Sequence, residues 1–267
     1  MCPKHQKESL LLDENYLFCR RCTERSNSYK VLDFEPVKID FTNFFDSGLL
    51  RDFGVKRQNT RFWSNWRREN LSFLLSRNIK SDDLGLDIGA GDGIFRKFLN
   101  LQRLVTIDFT NYPDINCIHD ITSSLPFASH SFEYILMTNV LEHLYDDRII
   151  SEAHRLLRKD SRLYLTVPFL LDIHQKPYDF HRYTNLWLEK KLMDEGFDIE
   201  YISPSEDFGT FETLVEHYFR FKIDSGSMNA KVLWQVQKSI NHLLKKSVQV
   251  DSRLDFTGGY MIQARKK

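Results

Sequence analysis

Residues 86–93 read Leu-Asp-Ile-Gly-Ala-Gly-Asp-Gly, two carboxylates set among three alternating glycines. An apolar run from Leu84 leads into the glycines and a helix-like apolar pattern leaves them from Ile94. Strand, glycine turn and helix in that order present a ligand at the first crossover of a doubly wound α/β sheet. A dinucleotide is disfavoured: its fingerprint needs glycine at the sixth relative position, where Ile94 stands. Asp92 within the turn would also repel a pyrophosphate, whereas a cationic ligand without phosphate is welcome beside Asp87 and Asp92. Gly89, Gly91 and Gly93 would let the backbone approach that ligand closely, with Ala90 between them. The next candidate is Asp108, which closes the β-branched run Leu104–Asp108 19 residues after Gly89. That is the spacing at which a carboxylate accepts from ribose hydroxyls.

Three further segments follow in order. His119-Asp120-Ile121 precedes Leu125-Pro126-Phe127, and the apolar run Tyr134–Met137 opens into Asn139-Val140-Leu141-Glu142-His143. With the glycine octet, this succession resembles the class I methyltransferases that use S-adenosylmethionine, in particular the type 11 group. The resemblance implies that Asp87, Gly89, Ala90, Gly91, Asp92 and Gly93 line the cofactor. Asp108 and Phe109 would lie at the ribose, Asp120 and Ile121 at the adenine, and Asn139 and Val140 at the sulfonium end. Taken singly, Asp108 and Asp120 read equally well as a strand-end acid and a turn cap. His143 is a candidate general base, or a packing residue at a helix start.

The loop after the fifth strand, Pro168–Thr184, packs His174, Asp179, His181 and Arg182 among tyrosines at the sheet edge where acceptor pockets form. Asp179 or His181 can deprotonate or orient an acceptor hydroxyl, and Arg182 can hold a phosphate. In the plainer reading Thr184 caps the next helix while Tyr178 and Tyr183 close the core. The string Pro177–Thr184 resembles one in bacterial methyltransferases of surface-polysaccharide and lipid-linked sugar pathways. An oxygen or nitrogen of a sugar or glycan intermediate is therefore the acceptor that this resemblance implies.

Cys2 and His5, then Cys19 and Cys22, form two close pairs at metal-ligand spacing with room for a hairpin between them. Three thiolates and an imidazole suit a closed structural zinc site. The region resembles the zinc ribbon preceding some methyltransferase domains, including a ribosomal RNA guanine methyltransferase family, although those ribbons carry cysteine where His5 stands. Cys117 lies in an apolar run and reads as a small buried hydrophobe.

These residues need elements to position them. The expected architecture is a doubly wound, mostly parallel seven-stranded sheet with a small amino-terminal zinc ribbon. Residues 1–36 form the ribbon, 37–59 a linker and 60–267 the methyltransferase domain, with an insertion at about 205–250. Strands are expected at 84–88, 104–108, 116–119, 133–138 and 162–167, with an antiparallel pair at 199–202 and 259–264. Ile149, Ile150, Ala153, Leu156 and Leu157 repeat at helical spacing over 146–158. A second helix at 186–195 stops at Gly196.

The 267 residues carry 42% hydrophobic and 28% charged side chains, ordinary for a globular protein. With 37 basic and 37 acidic residues, net charge gives no global pull toward nucleic acid or membrane. Locally, residues 51–80 hold eight basic side chains against Asp52 and Glu69, interleaved with Phe53, Phe62, Trp63 and Trp66. That mixture suits RNA or a phosphorylated substrate; it equally suits an amphipathic helix covering the cofactor end of the sheet. The sequence lacks a membrane span and a signal-peptide pattern at Met1-Cys-Pro-Lys-His, which reads as cytoplasmic. A glycan or other small-molecule acceptor, an RNA acceptor, and a non-catalytic partner subunit thus stand as three readings. The insertion leaves room for a lid, a dimer face or a peripheral membrane contact.

Overall fold

A computed structural model describes residues 65–93, 95–110, 112, 115–205 and 257–267. Four short strands near the amino terminus and single positions at 232, 235, 236 and 239 are also described. The first three strands, β1 (Leu11–Asp13), β2 (Tyr16–Phe18) and β3 (Tyr29–Lys30), form an antiparallel sheet. The β1–β2 hairpin falls between the two cysteine-containing pairs. Cys2, His5, Cys19 and Cys22 themselves lie outside the described residues, as does most of the insertion.

The main sheet contains β4 (Ile39–Asp40), β5 (Gly85–Ile88), β6 (Leu104–Asp108) and β7 (Cys117–Ile118). It continues with β8 (Phe132–Thr138), β9 (Leu157–Pro168), β10 (Phe197–Pro204) and β11 (Gly259–Lys266). The strand order is β10-β11-β9-β8-β5-β6-β7-β4. Seven of these strands make the expected mixed sheet: parallel from β7 to β9, with β11 antiparallel between β9 and β10. An eighth, β4, adds a two-residue parallel pairing to β7 from a segment that the sequence reads as linker.

The parallel strands are covered on both faces, so their residues are buried without alternation. One face packs Leu86, Ile88, Val105, Ile107 and Ile135 against helix α3 (Arg148–Leu156) and α4 (Asn185–Asp194). α3 buries Ile149, Ile150, Ala153 and Leu156, the stripe seen in sequence. α4 is capped by Thr184, whose hydroxyl accepts from the Trp187 amide at 3.2 Å. Gly196 follows it at φ +89°, a left-handed conformation suited to the residue after a helix. The other face carries α1 (Asn65–Leu75) and the short α2 (Arg96–Leu99), with Trp66, Phe73, Leu74 and Phe95 in its core.

β5 lies between β6 and β8, so the chain winds away from it in one direction and returns on its other side. This topological switch point opens a crevice beyond the carboxyl ends of β5 and β8.

Candidate active site

The glycine turn leaves β5 at this crevice. Gly89, Gly91 and Gly93 all have positive φ, at +67°, +57° and +65°. A side chain at Gly89 would also place its Cβ 2.5 Å from Val140 Cγ2, so the turn must lie directly on the segment after β8. Gly91 differs: a Cβ there would meet nothing within 4 Å among the described residues.

Asp108, at the end of β6, holds the turn from the side. Its Oδ2 accepts from the Gly91 amide at 2.9 Å and its Oδ1 from the Thr110 amide at 2.8 Å. The Phe109 amide and the Thr110 hydroxyl also approach the carboxylate. Burial raises its pKa to about 6, against the lowering effect of the Thr110 and Gly91 amides. Asp87 is more deeply shielded, and burial first, then the charge of Asp108, pushes it up to about 8. Its Oδ1 has no hydrogen-bond partner among the described residues. Two buried acids beside an open concavity make a site that favours positive charge.

Asp120 accepts from the Thr122 amide at 2.9 Å and hydroxyl at 2.7 Å, both on Oδ1. It is thus a turn cap whose second oxygen takes no hydrogen bond among the described residues. Phe109 and Ile121 sit in the same loops, half-buried and buried respectively. Asp92 and Ala90 are half-buried in the glycine turn. Asn139 follows β8 with φ +54°, unusual for a residue with a side chain. Trp66 of α1 donates from its indole Nε1 to Asn139 Oδ1 at 2.6 Å. The same ring lies against Gly259, where an added Cβ would sit 2.5 Å from it. α1 therefore covers this end of the sheet. Arg77 stacks over Tyr201 at 4.2 Å, so one of the segment's basic residues serves packing. Trp66 and its link to Asn139 were not singled out as site features in the sequence.

Beyond Val140, the 3-10 turn Leu141–His143 brings a second group of polar residues to the crevice. His143 Nδ1 is 2.6 Å from the Tyr178 carbonyl, which assigns the proton to Nδ1 and the lone pair to Nε2. Burial lowers the His143 pKa, keeping the ring neutral. Glu142 is fully buried, and burial drives its carboxyl up to about 8. Its backbone carbonyl accepts from the amides of Phe180 and His181, at 2.8 and 3.2 Å, fastening the Pro168–Thr184 loop to this turn.

In that loop Asp179 is bound by Arg182 through two hydrogen bonds, 2.5 and 2.8 Å. Oδ2 also accepts from the His174 amide at 2.8 Å. Burial would raise its pKa, but these bonds outweigh it and hold the group at about 2. The Arg182 guanidinium donates further to the carbonyls of Leu171, Asp172 and His181. Such saturation suits a loop clamp better than a phosphate grip. His181 Nε2 lies 3.1 Å from the Tyr145 carbonyl, and its ring stacks near Tyr183. Of the three candidate bases, His143 therefore presents an unpartnered nitrogen. Asp179 and His181 are engaged in holding the loop. Glu142 and His174 join the group although neither was among the site residues expected from sequence.

Residues 86–165 match a family model described as a methyltransferase domain. None of the curated proteins matches the chain. Among solved structures the chain is similar to the cyclase SpnF, with TM-score 0.51 and 15% identity over 79% of this chain and 84% of that one. A candidate methyltransferase from Bacillus halodurans gives TM-score 0.50 and 15% identity, over 74% of this chain and 99% of that one. The complex of the Haloferax volcanii Trm112 methyltransferase activator with its candidate methyltransferase gives 0.50 and 15%, over 74% and 90%. At such identities the structural likeness shows the fold, which is the class I methyltransferase fold. With the domain match on the motif-bearing segment, residues 86–165 form a methyltransferase domain within that fold.

Proposed function

We propose that the protein transfers a methyl group to a hydroxyl or amine of a sugar or glycan-biosynthesis intermediate. The observation that carries this reading is the Pro168–Thr184 loop, fastened over the Glu142–His143 turn at the cofactor end of the sheet. It brings His143, His174 and aromatic rings to the acceptor side. Arg182, the one arginine of this loop, is already spent on Asp179, which disfavours a phosphate-rich acceptor such as RNA. The SpnF likeness is a reminder that the fold alone does not choose the chemistry.

The residues fit S-adenosylmethionine. Among the described residues Asp87 Oδ1 is unpartnered and nothing lies over Gly91, which suits a cationic ligand lying on the turn. In this reading Asp108 accepts from the ribose hydroxyls and Asp120 Oδ2 from the adenine amino group. Phe109 and Ile121 flank the ring; Gly89, Ala90, Asp92, Gly93, Asn139 and Val140 complete the wall. The bound cofactor supplies an electrophilic methyl on a sulfonium. His143 Nε2 is the base for an acceptor hydroxyl, while Asp179 and His181 position the loop. Positioning carries much of the acceleration.

The amino-terminal segment is read as a structural zinc ribbon held by Cys2, His5, Cys19 and Cys22, and the β1–β2 hairpin between the pairs supports this. Zinc analysis of the purified chain tests it: about one equivalent that is lost on replacing Cys19 is expected, and none in the unmodified chain refutes it. A cytoplasmic location belongs to the same proposal. Among the described residues no helix is long and apolar enough to cross a membrane. Transfer of label from methyl-labelled S-adenosylmethionine into the sugar fraction of a cell extract tests the acceptor class, and label in RNA refutes it.

A further inference from the structure

Glu142, His143 and His174 converge at the acceptor side of the crevice, each offering a ligand atom within 4.8 Å of the other two. Glu142 Oε1 lies 3.6 Å from His143 Nε2 and 4.0 Å from His174 Nε2. The two imidazoles meet edge to face, with ring centroids 5.0 Å apart.

What surrounds these atoms is more telling than their proximity. Glu142 is fully buried, yet among the described residues no other group donates to either carboxyl oxygen, and His143 Nε2 has no hydrogen-bond partner either. Leaving a carboxyl group buried with only its own backbone amide as a donor is costly. The nearby cation Arg182 faces Asp179 instead. Each histidine, by contrast, has an oxygen at its far nitrogen. His143 Nδ1 meets the Tyr178 carbonyl at 2.6 Å, and His174 Nδ1 meets the Asp172 carbonyl at 3.1 Å and Asp179 Oδ2 at 3.3 Å. An oxygen at one ring nitrogen fixes the tautomer and turns the other lone pair outward, as in histidines that bind metals. Here both outward lone pairs point toward the same buried carboxylate.

We propose that Glu142, His143 and His174 form a binding site for a divalent metal ion of the zinc class. Two neutral imidazoles and one carboxylate suit a borderline-soft ion, and three protein ligands leave a coordination position open. Ligand atoms held at about 2.1 Å around a tetrahedral ion stand roughly 3.4 Å apart. Small side-chain rotations bring the present separations to that value. Asp179 then acts through His174 as a positioning residue, and Arg182 holds Asp179 in turn. If the methyl-transfer reading above is right, the open position is where an acceptor hydroxyl binds; His143 Nε2 is then a ligand rather than the base, and the ion would activate the hydroxyl in its place by lowering its pKa.

The test is binding of Co²⁺ alone to the full, chelator-treated chain, followed by visible absorption and by counting bound equivalents. Wild type is expected to bind one equivalent that His174→Ala lacks, and the difference spectrum should show ligand-field bands without thiolate charge transfer. That spectral form separates this ion from any held by the amino-terminal cysteines. His174 is partly exposed, so its replacement leaves the fold intact, which circular dichroism checks. Glu142→Gln should weaken the same equivalent by about 100-fold or more, and Asp179→Asn by roughly 10- to 100-fold, as loss of an orienting partner does. Equal stoichiometry and identical spectra in wild type, His174→Ala and Glu142→Gln would overturn the proposal. S-adenosylmethionine affinity, measured separately by calorimetry, reports on the methyl-transfer reading. Metal binding without cofactor binding would uphold this site and defeat that reading.

Discussion

Replacing Gly89 by alanine isolates the contact on which the cofactor turn is built. Two costs are expected. The residue sits at φ +67°, and holding alanine in the left-handed region costs about 1–2 kcal/mol. The new Cβ also falls 2.5 Å from Val140 Cγ2, an overlap relieved only by shifting buried groups, at a further cost of roughly 1–3 kcal/mol. Gly89→Ala should therefore lose about 2–5 kcal/mol in urea unfolding. Gly91→Ala carries a similar backbone cost at φ +57° but meets no atom of the described residues within 4 Å, so it should lose only about 1–2 kcal/mol. Its larger effect should be on cofactor affinity, because its methyl projects over the turn. A double-mutant cycle with Val140→Ala completes the experiment. Trimming Val140 alone costs roughly 2 kcal/mol as a buried truncation. In the Gly89→Ala background it also removes the overlap, so the pair should be more stable than additivity allows, by about 1–3 kcal/mol. Additivity within about 0.5 kcal/mol would show that the two residues do not touch and would refute the reasoning.

Other consequences follow from the same geometry. Cofactor affinity should rise about tenfold between pH 5 and 7, because Asp108, with its pKa near 6, must ionise to accept from ribose; calorimetry on Asp108→Asn should find a flat profile. Asp179 is depressed to about 2 when folded, so its stabilisation is present above its unfolded pKa near 4 and is lost as pH falls toward 2. The stability deficit of Asp179→Asn against wild type should accordingly shrink from pH 5 to pH 2 in denaturant titrations, and a constant deficit would contradict the ion pair with Arg182. Trp66→Phe removes the donor that holds Asn139 at positive φ, and should cost about 1–2 kcal/mol together with cofactor affinity; unchanged affinity would detach α1 from the site.

Sequence made the elements that carry the candidate cofactor residues legible because their information is local. The glycine turn, the acid closing β6 and the apolar stripe of α3 each lie within one element, and each keeps its expected place. Contacts between distant segments were not legible. Trp66 donates to Asn139 across 73 residues, and no periodicity announces such a pairing. Glu142 was visible as one letter beside His143, but nothing local marks it as a fully buried acid with no donor from another described residue. His174 reaches it only because the Phe180 and His181 amides tie the loop to the Glu142 carbonyl. Strand β4 escaped notice because two residues carry no period. The start of β9 was missed because Arg158–Asp160 is exposed and polar, and Asp160 departs to φ +59°.

The central claim concerns the acceptor, and the most direct test is transfer of tritium from methyl-labelled S-adenosylmethionine into a fractionated cell extract by the purified chain. Label in the soluble or lipid-linked sugar fraction, lost with Asp108→Asn, is the predicted result. Label in the RNA fraction, or in none, would contradict it.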